Sequence, residues 1–228
     1  MARVFNGSSQ YLSASSTLLT NEPIDIITYT NVDAITTAYC LASLGNSGAA
    51  SGYFALYFRG DVASDPVEAN KQADGGGAGG QARTSASSAA GTWFVSASSF
   101  VSDTSRNAFY NGGSKGTNTT NVADPTPDYV TLGAFRTNTV ANYLDGNLAE
   151  AYFLDVNMTD AQHASAGKGI SPFWLVPGKN VRAWYPLQGH NNNRVRNGYP
   201  DLTATGSPTN GTHPARVMRP RINGVMAV

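Results

Sequence analysis

The sequence predicts an all-β chain: a two-sheet antiparallel β-sandwich with one short helix and an extended C-terminal arm. Three observations carry that expectation. Apolar residues recur with a period of two, as in half-buried strands. Only 13% of the 228 residues are charged, while Gly, Ser, Thr and Asn abound, a composition suited to short strands and tight turns. Turn dipeptides punctuate the runs.

Taken in order, Ile24, Ile26 and Thr28 alternate with Asp25, Ile27 and Tyr29. In the run 51–59, Phe54, Leu56 and Phe58 share one face and Tyr53, Ala55 and Tyr57 the other; two apolar faces predict an interior strand. Trp93, Val95 and Ala97 alternate with Phe94, Ser96 and Ser98 in the same way. Asn6-Gly7, Asn111-Gly112-Gly113, Asp145-Gly146, Asn197-Gly198 and Asn223-Gly224 read as hairpin turns, because Asn, Asp and Gly tolerate positive φ. The glycine-rich run 74–80 lacks the Gly-Lys-Ser/Thr of a phosphate-binding loop and reads as a surface loop.

Thr159 and Gln162 form a capping-box pattern ahead of Ala161 to Ala166, with Gly167 as the stop, so a short helix is expected over an open end or edge of the sandwich. The sandwich, with its elaboration 167–207, is expected to end at residue 207. Residues 208–228, rich in Pro, Gly and Arg, read as the arm.

Fifteen basic and fifteen acidic residues cancel, which disfavours nucleic acid and anionic membranes as partners. Cys40 is the one cysteine and lies in an apolar stretch, so the fold is expected to hold without a disulfide. The N-terminus shows no apolar signal-peptide core, and no segment is apolar enough for a membrane span; synthesis in a cytoplasm is the expectation.

Several motifs share an order that resembles the laminin-G-like, concanavalin A-like jelly roll of the divergent bacterial and bacteriophage type. Phe5-Asn6-Gly7-Ser8-Ser9-Gln10-Tyr11-Leu12 resembles its opening strand and turn, and Gly91-Thr92-Trp93-Phe94-Val95 a later strand. Phe109-Tyr110-Asn111-Gly112 is similar to its hairpin, and Asp145 to Phe153 to the strand before its helix. The resemblance spans residues 3–166. The segment from Ser171 through Leu187 to Thr203 looks like a tail of phage-encoded members. It implies a bacteriophage virion protein, such as a capsid decoration, head-fibre or tail accessory subunit. Its partners would be capsid or tail subunits and further copies of itself, and its location the virion. The alternative the resemblance leaves open is a carbohydrate-binding module that recognises a cell-surface glycan.

Catalysis finds little support in the residues. β-Glucanases of related fold carry Glu-x-Asp-x-x-Glu on one strand; here the three glutamates, Glu22, Glu68 and Glu150, stand apart. Glu150, amid apolar neighbours, reads as a structural carboxylate. His163, His190 and His213 show no zinc spacing and read as exposed or capping residues, and no Gly-x-Ser-x-Gly elbow accompanies them. Laminin-G relatives often bind calcium at the sandwich rim, which makes Asp103, Asp145 and Asp155 the candidate ligands, without a dense acidic loop. Tyr129, Trp174 and Tyr199, set nearer loops than the other aromatics, are the candidates to stack on a ligand. Arg216, Arg219 and Arg221 form a basic tail that could dock on an acidic neighbour.

Overall fold

A computed structural model describes residues 1–17, 19–77, 79–195 and 199–214, and the backbone of 221–222 and 225–226. The chain runs through β1 (Ala2–Asn6), β2 (Tyr11–Ser15), β3 (Ile24–Val32), β4 (Ala38–Gly45), β5 (Tyr53–Arg59), β6 (Pro66–Gln72) and β7 (Gly80–Ser87). It continues through β8 (Trp93–Ser102), β9 (Ser105–Tyr110), β10 (Gly113–Asn118), β11 (Tyr129–Leu132), β12 (Phe135–Arg136), β13 (Val140–Ala141) and β14 (Asp145–Leu154). Helix α1 (Asp160–Gly167) precedes β15 (Val181–Tyr185), β16 (Thr203–Thr205), β17 (Thr209–Gly211), β18 (Arg221–Ile222) and β19 (Val225–Met226).

Two antiparallel sheets form the sandwich. The first has the order β10-β9-β8-β3-β14-β1-β17, with β15 also paired to β14; the second has the order β16-β2-β11-β4-β5-β6-β7. The predicted alternation holds residue by residue. Phe54, Leu56 and Phe58 of β5 meet Ile24 and Ile26 of β3 and Phe94 and Phe100 of β8 in one core. Rings interlock across the layers, Phe54 with Phe100 at 5.0 Å and Phe58 with Phe94 at 5.7 Å. The other face of β5 is also covered: Ala55 and Tyr57 pack with Cys40, Tyr53 and Phe135. Burial there pushes the Cys40 thiol far above its ordinary range, as an inert thiol requires.

The turn signals divide. Asn111 (φ 48°) and Gly112 (φ 71°) close the β9–β10 hairpin as expected. Asn6-Gly7 instead turns a corner, carrying the chain from β1 in one sheet to β2 in the other. Asp145-Gly146 is no turn at all. It opens β14, where Gly146 lies between Phe5 of β1 and Val32 of β3, and a Cβ would come within 2.2 Å of the Asn31 carbonyl. Close approach of backbones, not hairpin geometry, demands the glycine. Asn197-Gly198 and Asn223-Gly224 lie outside the described residues.

Helix α1 forms as its cap predicts: the Thr159 hydroxyl accepts from the Gln162 amide, and the Gln162 side chain accepts from the Thr159 amide. It lies on the outer face of the first sheet, with Ala166 packed among Val95, Ala97 and Phe109, and reaches the sheet's edge, where Asp160 pairs with Lys115 of β10. The C-terminal part differs. Strand β16 pairs with β2 and β17 with β1, so Thr209–Gly211, expected in the arm, lies within the sandwich.

Candidate functional site

The outer faces of the two sheets are built differently. That of the first sheet is sealed by α1 and the segment around the 3-10 turn at Pro172–Trp174, beneath which Ile27, Val95, Phe109, Tyr152 and, from β15, Trp184 form an apolar layer. Several polar groups caught there are bonded. Glu150 accepts from the Tyr152 hydroxyl at 2.5 Å and from Trp184 Nε1 at 3.3 Å, and His213 Nε2 stands 3.3 Å from its other oxygen. These contacts fit the structural reading of Glu150. His163 and His213 are buried rather than exposed. Ser99, His163 and Asp25 do meet, but Ser99 Oγ at 3.0 Å and Asp25 Oδ2 at 3.3 Å both address His163 Nε2. A triad needs the acid on the opposite ring nitrogen, and this group is also buried beneath α1.

The outer face of the second sheet carries groups that can bind. Hairpin β12–β13 crosses it at β4; the Arg136 carbonyl lies so close to Gly45 that a Cβ there would approach it to 1.9 Å. On one side, β5, β6 and β7 hold Glu68, fully buried, between two guanidinium groups. Arg59 Nη1 donates to both Glu68 oxygens at 2.9 and 3.0 Å, Arg83 Nε at 2.5 Å and Asn70 Nδ2 at 3.1 Å. Asp61 takes the remaining edge of Arg59 at 2.8 and 2.9 Å and is held below its usual carboxylate range by that bond. Gln81, exposed, accepts from Arg83 Nη2 at 2.9 Å.

On the other side of the hairpin, Arg136 lies over the Tyr129 ring, 3.7 Å from its centroid, and Nη1 donates to Ser13 Oγ at 3.0 Å. Tyr11 and Tyr143 stand nearby, half-exposed, with ring centroids 6.2 Å apart. Thr203 and Thr205 of β16, both exposed, pair with Ser13 and Tyr11 of β2 and so share their face. The arrangement offers rings, hydroxyls and planar charged groups held in fixed positions, and of its carboxylates Glu68 is locked by two arginines and Asp61 by one.

The aromatic candidates separate accordingly. Tyr129 is on this face, but one side of its ring is taken by Arg136. Trp174 is 52% exposed, on the turn that covers the opposite sheet. Tyr199 does not join them: it is 3% exposed and packs against Phe153 in the core, with its amide bonded to the Arg182 carbonyl, so its ring cannot meet a ligand.

The calcium candidates do not converge either. Asp155 accepts from Asn180 Nδ2 at 2.7 Å and pairs with Arg182 at 3.3 Å, and Asp145 opens β14 beside Gly7. Asp103 does join other carboxylates, Glu22 and Asp124, whose oxygens lie within 4.8 Å of one another. Lys71 Nζ, however, sits 2.9 Å from Glu22, 3.0 Å from Asp103 and 2.8 Å from Asp124. The ammonium takes the place a hard cation would need, and the residues do not fit calcium. Arg216 and Arg219 lie outside the described residues, as does the side chain of Arg221.

Arg59, Glu68, Arg83 and Arg136 were missed by reading the sequence. A signal was present in Pro66 to Gln72 (PVEANKQ), where Glu68 and Asn70 alternate with the core residues Val67 and Ala69.

No family model matches the chain, and no curated protein does. Solved structures do. A protein of Bacteroides ovatus described as carbohydrate-binding superposes with a TM-score of 0.66 at 16% identity over 95% of this chain, which spans 61% of that protein. The SAP-like pentraxin of Limulus polyphemus gives 0.59 at 14% identity, covering 73% of this chain and 81% of its own. The fold is a jelly-roll β-sandwich. The CBM40 of a Ruminococcus gnavus sialidase, bound to α2,3-sialyllactose, gives 0.57 at 16% identity over 73% of this chain and 98% of that module. Among the described residues, no helix of this jelly roll is long and apolar enough to cross a membrane.

Proposed function

We propose that the chain is a non-catalytic carbohydrate-binding module that takes its glycan on the outer face of the second sheet. One observation carries the reading: that face keeps half-exposed tyrosines beside hydrogen-bonding groups fixed in advance, while the opposite face is closed by apolar packing. Tyrosine rings supply apolar area for the C–H faces of a sugar, and side chains already held by neighbours lose little entropy on binding. The structural neighbours favour this reading over a virion subunit, since those described by ligand are carbohydrate-binding.

A glycan array probed with the folded chain tests it. Selective retention of a glycan class is expected, weakened at least tenfold by the double change Tyr11→Ala and Tyr143→Ala while the thermal transition persists. An array with no selective signal would overturn the reading.

A further inference from the structure

Among the described residues, the second sheet's outer face contains a charge that no carboxylate answers. Arg59 is paired with Asp61 and Glu68, and Arg83 with Glu68. Arg136 has no carboxylate within ion-pair distance among the described residues. Its contacts are the Tyr129 ring at 3.7 Å and the Ser13 hydroxyl at 3.0 Å, both neutral. The group is nonetheless half-buried, so water only partly solvates it.

Such a guanidinium is fixed rather than floppy. The backbone of β12 is pressed onto Gly45, the head group lies over a ring, and one nitrogen is tied to Ser13. Only part of its five-donor fork is used, and the free edge suits the two oxygens of a carboxylate. Tyr11 lies two residues along β2 from Ser13 on the same face, with Tyr143 beside it, so a ring attached to that carboxylate would find aromatic surface within reach.

We infer that Arg136 recognises the carboxylate of an acidic sugar, making the ligand class glycans that carry sialic or uronic acid. The inference rests on the carbohydrate-binding reading and narrows it. Ser13 acts as a positioning residue, holding the guanidinium over Tyr129.

Titration calorimetry with the full chain tests this, using α2,3-sialyllactose against lactose and tetragalacturonate against its methyl ester. One acidic probe should bind at least tenfold more tightly than its neutral counterpart, with the advantage shrinking at high salt. Arg136→Gln should erase the preference and Arg136→Lys restore only part of it, since an ammonium neither stacks nor binds both oxygens in the same way. Ser13→Ala, which keeps Arg136 and Tyr129 but removes the hydroxyl that fixes the guanidinium, should reduce the preference several-fold and serves if Arg136→Gln fails to fold. Equal affinity for acidic and neutral probes, or an acid preference that survives Arg136→Gln, would overturn the assignment to Arg136 while leaving glycan binding standing. Failure of every glycan to bind would remove both.

Discussion

The two sheets turn similar inner faces to a shared core and meet different fates outside. The first is covered by α1 and the segment around a 3-10 turn, so its outward residues, Ile27, Val95, Tyr152 and Trp184, are a second core. The second is crossed by hairpin β12–β13, and its outward residues include tyrosines, arginines and hydroxyls beside Cys40 and Ala55. Each face buries one glutamate, with different company. Glu150 has Tyr152, Trp184 and His213 beside it on the sealed side, whereas Glu68 on the open side is held by two arginines and an asparagine. One surface is spent on stability, and the other is left to meet a ligand.

The largest effect that could break this comparison lies on the sealed face. Trp184 is fully buried, stacked on Tyr152 at 6.0 Å and met edge-on by Phe173 at 5.6 Å. Trp184→Ala should cost about 3–5 kcal/mol, the range for emptying a large aromatic site. Urea unfolding should show a lower midpoint at unchanged slope, and glycan affinity per folded molecule should stay as in the parent. A loss of affinity in the folded fraction would mean that the two faces are not separate in role.

A smaller loss is expected on the open face. Removing Glu68 strands Arg83 and half of the Arg59 fork; breaking a fully buried pair costs about 3–5 kcal/mol, but Arg83 keeps access to water and Arg59 keeps Asp61. Glu68→Ala should therefore destabilise by about 2–3 kcal/mol in the same urea assay. Unlike the Trp184 change, it should also alter glycan binding, because Arg59, Arg83 and Asn70 lose the group that orients them. An effect on stability alone would assign the cluster to the scaffold.

How much of this was legible follows from the range of each signal. Alternation of Phe54, Leu56 and Phe58 with Tyr53, Ala55 and Tyr57 is a local statement about two faces, and the fold obeys it. The Thr159–Gln162 cap spans four residues and forms as read. The open site does not work that way. Arg59, Glu68 and Arg83 come from three strands whose register decides that Tyr57 faces Glu68 and Glu68 faces Arg83. Arg136 depends on where a two-residue strand crosses a sheet. Tyr199 failed for the converse reason: its neighbours Gly198 and Pro200 read as a loop, yet its ring closes the core against Phe153 and its amide bonds the Arg182 carbonyl.

The smallest effect concerns the rim, where Lys71 from the second sheet meets Glu22, Asp103 and Asp124. Burial raises Glu22 from the ordinary 4.5 to about 7 against the opposing pull of Lys71, so near neutrality this acid retains part of its proton. Burial also works against the Lys71 ammonium, but hydrogen bonds to Asp124, Glu22 and Asp103 outweigh it and its pKa is raised. The sign for Glu22 follows from proton counting. Between pH 4.5 and about 7 the folded state binds more of this proton than the unfolded chain, so the contribution of Glu22 to stability is fully present below 4.5 and falls as pH rises through 7. The loss should be on the order of 1–3 kcal/mol, read as the difference between parent and Glu22→Gln in urea unfolding at pH 4.5, 6 and 8. Glu22→Gln should flatten the profile and leave glycan affinity untouched, since the rim cluster faces Phe54 and the core rather than the open face. An identical pH profile in the two proteins would show that the proton resides elsewhere in the cluster.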